Sequence, residues 1–421
     1  MTIPEVHLRS AHRVYTLFLT LLLLLASSLK AAAAGPSYTL KYKLEFEPDA
    51  ERAKVTLLID KGELLRQYRF KNTEQRYANV KGNGKVTVTN DEVIWDLPEG
   101  EAWLSFQAKV SHQKTPGKYD ALMTKDWAIF RGDDLFPSGP TTEVPGAYAE
   151  ATLDVVLPQG WSGVETGWPR IKGNSFRINN PDRLFDRPVG WFIVGNLGTR
   201  RAKVGKTAIA VSAPLKSGVK RMEILTFMNF VWPEVQKAFD TKPKKLLMVA
   251  MGDPMWRGGL SASNSLFLHT DRPLVSENGT SPLLHEMTHM FTRLKGVVTE
   301  HANDDWIVEG LAEFYSFDLL YRAGGMSKDR RKKIIEKLAK WGADIKHLRE
   351  GPSKGPITAR AVVLLDELDK EIRHKTKGDA SIDDLTRALM VKRKVSLADL
   401  RAAAEEIMGE PLSTLRSPLV N

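Results

Sequence analysis

Two histidines four residues apart, with a glutamate directly after the first, stand in the apolar stretch LLHEMTHMF at residues 283–291. On a helix this spacing puts His285 and His289 on one face, where both imidazoles can turn toward a single ion. Neutral imidazole suits zinc, and catalytic zinc sites hold three protein ligands while a fourth position stays open to water. Glu286 then stands beside that position and can serve as general base in a hydrolysis. A solvated helix face could carry the same residues, so the chemistry depends on a third ligand. The stretch DDWIVEGLAEFY at 304–315 offers two carboxylates. Trp306, Leu311, Phe314 and Phe317 recur there at helical spacing, and Glu309 and Glu313 share one face of that second helix. One carboxylate can ligate the ion while the other hydrogen-bonds a ligating histidine through its free ring nitrogen.

Taken together, HEMTH and WIVEGLAEFY resemble the gluzincin metallopeptidases, and within them the glycyl aminopeptidase family and the related alanyl-type aminopeptidases. The resemblance implies a zinc site with ligands His285, His289 and Glu309 and with Glu286 as catalytic base; one zinc per chain is expected, and Glu313, one turn after Glu309, is then expected to orient His285 through its free ring nitrogen. The loop KGVVTEHANDD lies between the two motifs. It makes their separation one residue longer than is usual in the aminopeptidases and equal to that of thermolysin-type enzymes. The resemblance also implies a strand that lies along the substrate. Its match is RGGLSASNSLFLH at 257–269, with Gly258, Gly259, Leu260 and Ser261 as the substrate-strand candidates. Glycines there let backbone approach a ligand closely.

Two departures from the family narrow the chemistry. Ser261 stands where the aminopeptidases carry the glutamate that binds a free amino terminus, and a hydroxyl cannot neutralise an ammonium group. The resemblance also implies an oxyanion-stabilising tyrosine on a later helix, followed by lysine-glycine. The corresponding segment has Thr358, Arg360 and Ala361, and no tyrosine follows Tyr321. Thermolysin-type enzymes use a histidine for a similar task, which makes His347 and His374 candidates. The expected activity is therefore peptide-bond hydrolysis that does not depend on a free amino terminus. The competing expectation, from another class, is a catalytically weak peptidase-fold protein acting as an envelope binding or assembly factor.

These residues need a frame to hold them. From residue 37 to about 213 short alternating runs such as YTLKYKLEFE and AKVTLLID are separated by Gly, Pro, Asn and Asp turns, which predicts an antiparallel β-sandwich-like domain. The period changes to 3.6 near PLKS at 214–217. The reading is an α+β chain with a β-rich unit at 35–204 and a thermolysin-like catalytic unit at 205–421. The second unit should have a small mixed sheet, including strands at 245–251 and 263–269, followed by helices at 327–343, 359–375, 380–392 and 396–408. Ser281-Pro282 predicts the start of the zinc helix, a capping hydroxyl followed by proline at the first helical position. The PDZ domain that many glycyl aminopeptidases carry is not expected, since only a short tail follows Met408.

Residues 1–34 predict an address. Arg9 and Arg13 precede an apolar run at 14–29, and Ala31–Ala34 supply small residues for cleavage, the pattern of a secretory signal peptide rather than an uncleaved anchor. The chain of 421 residues contains no cysteine, which excludes disulfides, thiolate metal ligands and cysteine catalysis. An exported chain without disulfides fits a bacterial periplasm. Loss of residues 1–34 removes Arg9, Arg13, Lys30 and Glu5, lowering the formal charge from +10 to +8. Basic clusters such as KDRRKKIIEK predict solvated surfaces, with anionic envelope surfaces as possible partners and no role for nucleic acid. The expected partner at the site is a peptide or protein substrate.

Overall fold

The computed structural model describes residues 35–73, 76–179, 185–258 and 260–421, so the expected signal segment at 1–34 lies outside the described residues. In Ser37–Glu47 (β1) the side chains of Tyr38, Leu40, Tyr42, Leu44 and Phe46 are buried and those between them are not, the alternation of a strand covered on one face. Arg52–Ile59 (β2), Ala102–Lys109 (β3), Trp127–Arg131 (β4), Tyr148–Val156 (β5) and Trp191–Gly195 (β6) follow, with further strands between them. The order β5-β1-β2-β3 forms the middle of a seven-stranded sheet, and β4 and β6 are neighbours in a five-stranded one. Phe46 of β1 meets Phe130 of β4 at 5.8 Å, and Phe130 stacks on Phe192 of β6 at 5.3 Å, so the two sheets share one core. The sheets are not wholly antiparallel as expected. β1 and β5 run parallel, from Ser37 opposite Tyr148 to Glu45 opposite Val156. Parallel neighbours need a long crossover, and the other strands up to β5 supply it; alternation along a strand carries no information about the direction of its partner.

The apolar run WFIV in β6 is continuous because both faces of the strand are covered. Phe192 and Val194 enter the first core, while Trp191 and Ile193 join Ile129 against Ala210, Leu247, Val249 and Phe267. The last four belong to a further five-stranded sheet, that of the second half, so a dry layer couples the two halves. That sheet contains Leu197–Val204 (β7), Thr207–Pro214 (β8), Lys245–Met251 (β9), Leu260–Ala262 (β10) and Ser265–His269 (β11), in the order β7-β8-β9-β11-β10. It is mixed: β8, β9 and β11 are parallel to one another, and the two outer strands are antiparallel to their neighbours. Residue 205, expected to open the second unit, falls in the turn between β7 and β8, and these pair from Leu197 opposite Pro214 to Val204 opposite Thr207. By its pairing β7 goes with the sheet of the second half, a change the strand pattern cannot signal because the period is two on both sides. Glu165 adds a polar tie across the same seam, accepting from Lys245 Nζ at 2.8 Å, from Arg170 at 3.0 Å and from Arg201.

The rest of this half is helical: Arg221–Phe239 (α1), Pro282–Thr292 (α2), Asp305–Arg322 (α3), Lys328–Trp341 (α4), Pro356–Lys375 (α5), Ile382–Met390 (α6) and Leu397–Met408 (α7). α5 begins three residues before its expected start, because Gly355 caps it and Pro356 occupies the first turn. The strand expected at 263–269 is β11, which starts at Ser265 because a turn at Asn264 joins it to the preceding β10 in a hairpin. Met228 and Trp232 of α1, Leu284 and Met287 of α2, Trp306, Leu311 and Phe314 of α3 and Leu365 of α5 meet in the largest core. Among the described residues no helix is long and apolar enough to cross a membrane.

Candidate metal centre

α2 starts where a capping hydroxyl and a proline coincide. Ser281 Oγ accepts from the Leu284 backbone N–H at 3.3 Å, and Pro282 needs no donor at the first helical position. Leu283, Leu284, Met287, Met290 and Phe291 turn into the core. This fixes the opposite face, and His285, Glu286 and His289 are left half-buried on it. α3 is placed by two further devices. Asp304, at its N-terminus, is buried and accepts from Arg349 Nε at 2.7 Å and from the Leu397 N–H at 3.1 Å, tying the helix start to two distant segments. Gly310, next to Glu309, lets α5 approach: a Cβ there would lie 3.0 Å from both Ala361 Cβ and Leu365 Cδ1.

Packed in this way, the two helices bring four polar side chains together. His285 Nε2 and His289 Nε2 are 3.2 Å apart. Glu309 reaches both, with Oε2 at 3.5 Å from His285 Nε2 and Oε1 at 3.4 Å from His289 Nε2. Donor atoms of these three residues all lie within 4.8 Å of one another. The His285 Nδ1–H donates to Glu313 Oε2 at 3.1 Å. Zinc bonds to nitrogen and oxygen run about 2.0–2.2 Å, and two tetrahedral ligands at that radius stand about 3.4 Å apart. The two imidazole nitrogens stand 3.2 Å apart, and each meets a different oxygen of Glu309, Oε2 at 3.5 Å from His285 and Oε1 at 3.4 Å from His289, so the carboxylate straddles the pair. The donor set, two imidazoles and a carboxylate with one atom from each within 4.8 Å of the others, fits the ion in its chemistry.

Electrostatics point the same way. Burial pushes His285 toward its neutral form, but hydrogen bonds and charge from Glu309 and Glu313 outweigh it and raise its pKa to about 9. Burial likewise works against ionisation of Glu309, and the two histidines overcome it, holding that carboxyl at about 2. A carboxylate this firmly ionised and a histidine facing two carboxylates make a pocket of negative potential suited to a cation. Glu286 stands apart from this web. Its carboxylate has no hydrogen bond or ion pair among the described residues, which leaves both oxygens available to a reacting group.

The other sequence candidates separate. β10 is the terminal strand of its sheet and packs beside α2, with Ser261 opposite Leu266 and Leu260 opposite Phe267. Gly258 precedes it, and an added Cβ there would run into the Trp256 ring. Gly259 lies outside the described residues. Thr358 Oγ1 is within 3.0 Å of Ser353 Oγ, and Ala361 is used against Gly310. His347 and His374 are exposed, and neither belongs to the cluster of donor atoms. Sequence reasoning did not find the roles of Asp304 and Gly310. The paired aspartates before the apolar run of α3 were the available signal for the first.

No protein-family model and no curated protein matches this chain. Among solved structures, an aminopeptidase N family protein from Idiomarina loihiensis is similar with a TM-score of 0.62 and 14% identity, over 84% of this chain and 70% of that one. The fold is aminopeptidase-like. At this identity the likeness concerns the backbone alone.

Proposed function

We propose that this chain is an exported zinc metallopeptidase that hydrolyses peptide bonds in peptide or protein substrates. The observation that carries the reading is the convergence of His285, His289 and Glu309, with one donor atom of each within 4.8 Å of the others, and beside them Glu286, which has no hydrogen bond or ion pair among the described residues. A zinc ion held there supplies Lewis acidity toward the substrate carbonyl and a lowered pKa for water. His285 and His289 contribute neutral Nε2 donors, and Glu309 contributes negative charge. Glu313 keeps the proton of His285 on Nδ1 and so fixes both the tautomer and the ring plane. Glu286 takes a proton from the attacking water as its oxygen adds to the carbonyl carbon. It then hands that proton to the leaving nitrogen as the C–N bond breaks. The outer edge of β10 offers free backbone groups to an extended substrate, which can add to the sheet as a further strand.

Ser261 on that strand brings no charge for an amino terminus, so we assign cleavage within peptides or at blocked ends rather than aminopeptidase action. Export rests on the basic, apolar and small-residue series at 9–34. Hydrolysis of blocked and unblocked peptide libraries by the mature, zinc-loaded protein tests the proposal. Cleavage that disappears in Glu286→Gln and after chelation supports it. A zinc-loaded wild type that cuts nothing contradicts it.

A further inference from the structure

α4 carries more positive charge than its packing uses. Its sequence, KDRRKKIIEKLAKW, holds seven lysines and arginines against two carboxylates, and its buried residues are Ile334 and Leu338. Arg331 turns inward to Asp318 and Asp366, at 2.8 Å from each, and Lys332 faces Glu336 at 3.7 Å. Arg330, Lys333, Lys337 and Lys340 are exposed. Arg330 and Lys337 bond neutral groups, the Glu277 carbonyl at 2.8 Å and Asn278 Oδ1 at 2.5 Å. Lys333 and Lys340 have no hydrogen bond or ion pair among the described residues. Helical spacing gathers these four cations on one side of α4, and Trp341 extends that side. Its indole is 57% exposed, the most exposed aromatic ring among the described residues. The exposed Lys354 stands close to it, since an added Cβ on the next residue, Gly355, would be 3.6 Å from the ring.

Lysine offers a compact point charge, and each guanidinium of α4 is already bonded to the protein. Such a surface responds to the density of negative charge and has no free fork to fit one particular phosphate. The indole adds a second preference. In the headgroup layer of a bilayer an exposed ring leaves water while its N–H stays hydrated. We propose that this side of α4 docks the exported chain on an anionic phospholipid bilayer, with the lysines over the phosphates and Trp341 in the headgroup layer. The proposal uses the export in the function proposed above and none of its metal chemistry.

Co-sedimentation with vesicles tests the docking face, using the mature chain so that the apolar run at 14–29 cannot insert by itself. Vesicles of phosphatidylcholine are compared with vesicles of equal parts phosphatidylcholine and phosphatidylglycerol. The anionic vesicles should bind at least about tenfold more tightly, and added salt should remove the difference. Each lysine near such a surface is worth about fivefold, so Lys333→Glu, Lys337→Glu and Lys340→Glu together should weaken binding by about a hundredfold. Glutamine at the same three positions, a milder change, should weaken it in the same direction. The same charge reversal at Lys71, Lys85 and Lys109, exposed in the first half, should cost less than about tenfold. Trp341→Ala should weaken binding by about fivefold. Trp341 emission, read as the difference from Trp341→Phe, should shift to the blue on the vesicles. Equal binding to both kinds of vesicle, binding to neither, equal losses in the two charge-reversed triples, or unshifted Trp341 emission in the bound state would overturn the docking face. Hydrolysis is measured separately, so a failure of the peptidase reading appears there and not in these titrations.

Discussion

Zinc should expel close to one proton when it enters this site at neutral pH. In the metal-free protein His285 is flanked by Glu309 at 3.5 Å and Glu313 at 3.1 Å, and its pKa is raised from 6.5 to about 9. Ligation needs the neutral ring with Nε2 free. At pH 7, two units below that value, about one site in a hundred is in this form. Nearly every binding event must therefore release the proton, and apparent zinc affinity should rise about tenfold per pH unit from 7 toward 9 and then level. The same linkage acts on folding of the metal-free chain. Because the folded pKa is raised, the contribution of His285 to stability is fully present below pH 6.5 and is lost as pH rises through about 9. Calorimetric titration with zinc at pH 7, in buffers of different ionisation enthalpy, counts the protons, and chelator competition between pH 6 and 9.5 gives the slope. A count near zero at pH 7 with affinity independent of pH would refute the argument that two carboxylates hold this histidine charged.

Three further outcomes follow from particular contacts. Glu313→Gln keeps the size of the side chain and removes the charge behind His285, so zinc affinity or turnover should fall by about tenfold to a hundredfold without loss of the site; unchanged values in competition and rate assays would place this carboxylate outside the chemistry. Gly310→Ala puts a methyl 3.0 Å from Ala361 and Leu365, and overpacking of about 1–3 kcal/mol should exceed the helix-propensity gain of about 1 kcal/mol. Chemical denaturation should show net destabilisation, accompanied by weaker zinc binding because Glu309 moves with the helix. A peptide and its N-acetylated twin should be cut at similar rates, since Ser261 offers no carboxylate to an ammonium group; a strong preference for the free amine would reveal an anchor elsewhere.

The centre was more legible in the sequence than the frame around it. Helical periodicity turns the spacing of His285 and His289, and of Glu309 and Glu313, into shared faces, so these groups could be paired before any coordinates. Proximity of the two helices is another matter, because it is created by packing. Gly310 against Ala361 and the reach of Asp304 to Arg349 and Leu397 join segments far apart in the chain, and no local pattern names those partners. Strand alternation revealed which faces are covered but neither the parallel pairing of β1 with β5 nor the membership of β7 in the sheet of the second half.

The most direct test of the account is zinc content measured alongside hydrolysis in five proteins: wild type, His285→Ala, His289→Ala, Glu309→Ala and Glu286→Ala. The wild type should hold one zinc per chain and hydrolyse peptides. Each ligand variant should lose most of the metal, and Glu286→Ala should keep it while losing turnover by several orders of magnitude. Full zinc occupancy in the histidine variants, or undiminished hydrolysis by Glu286→Ala, would contradict the account.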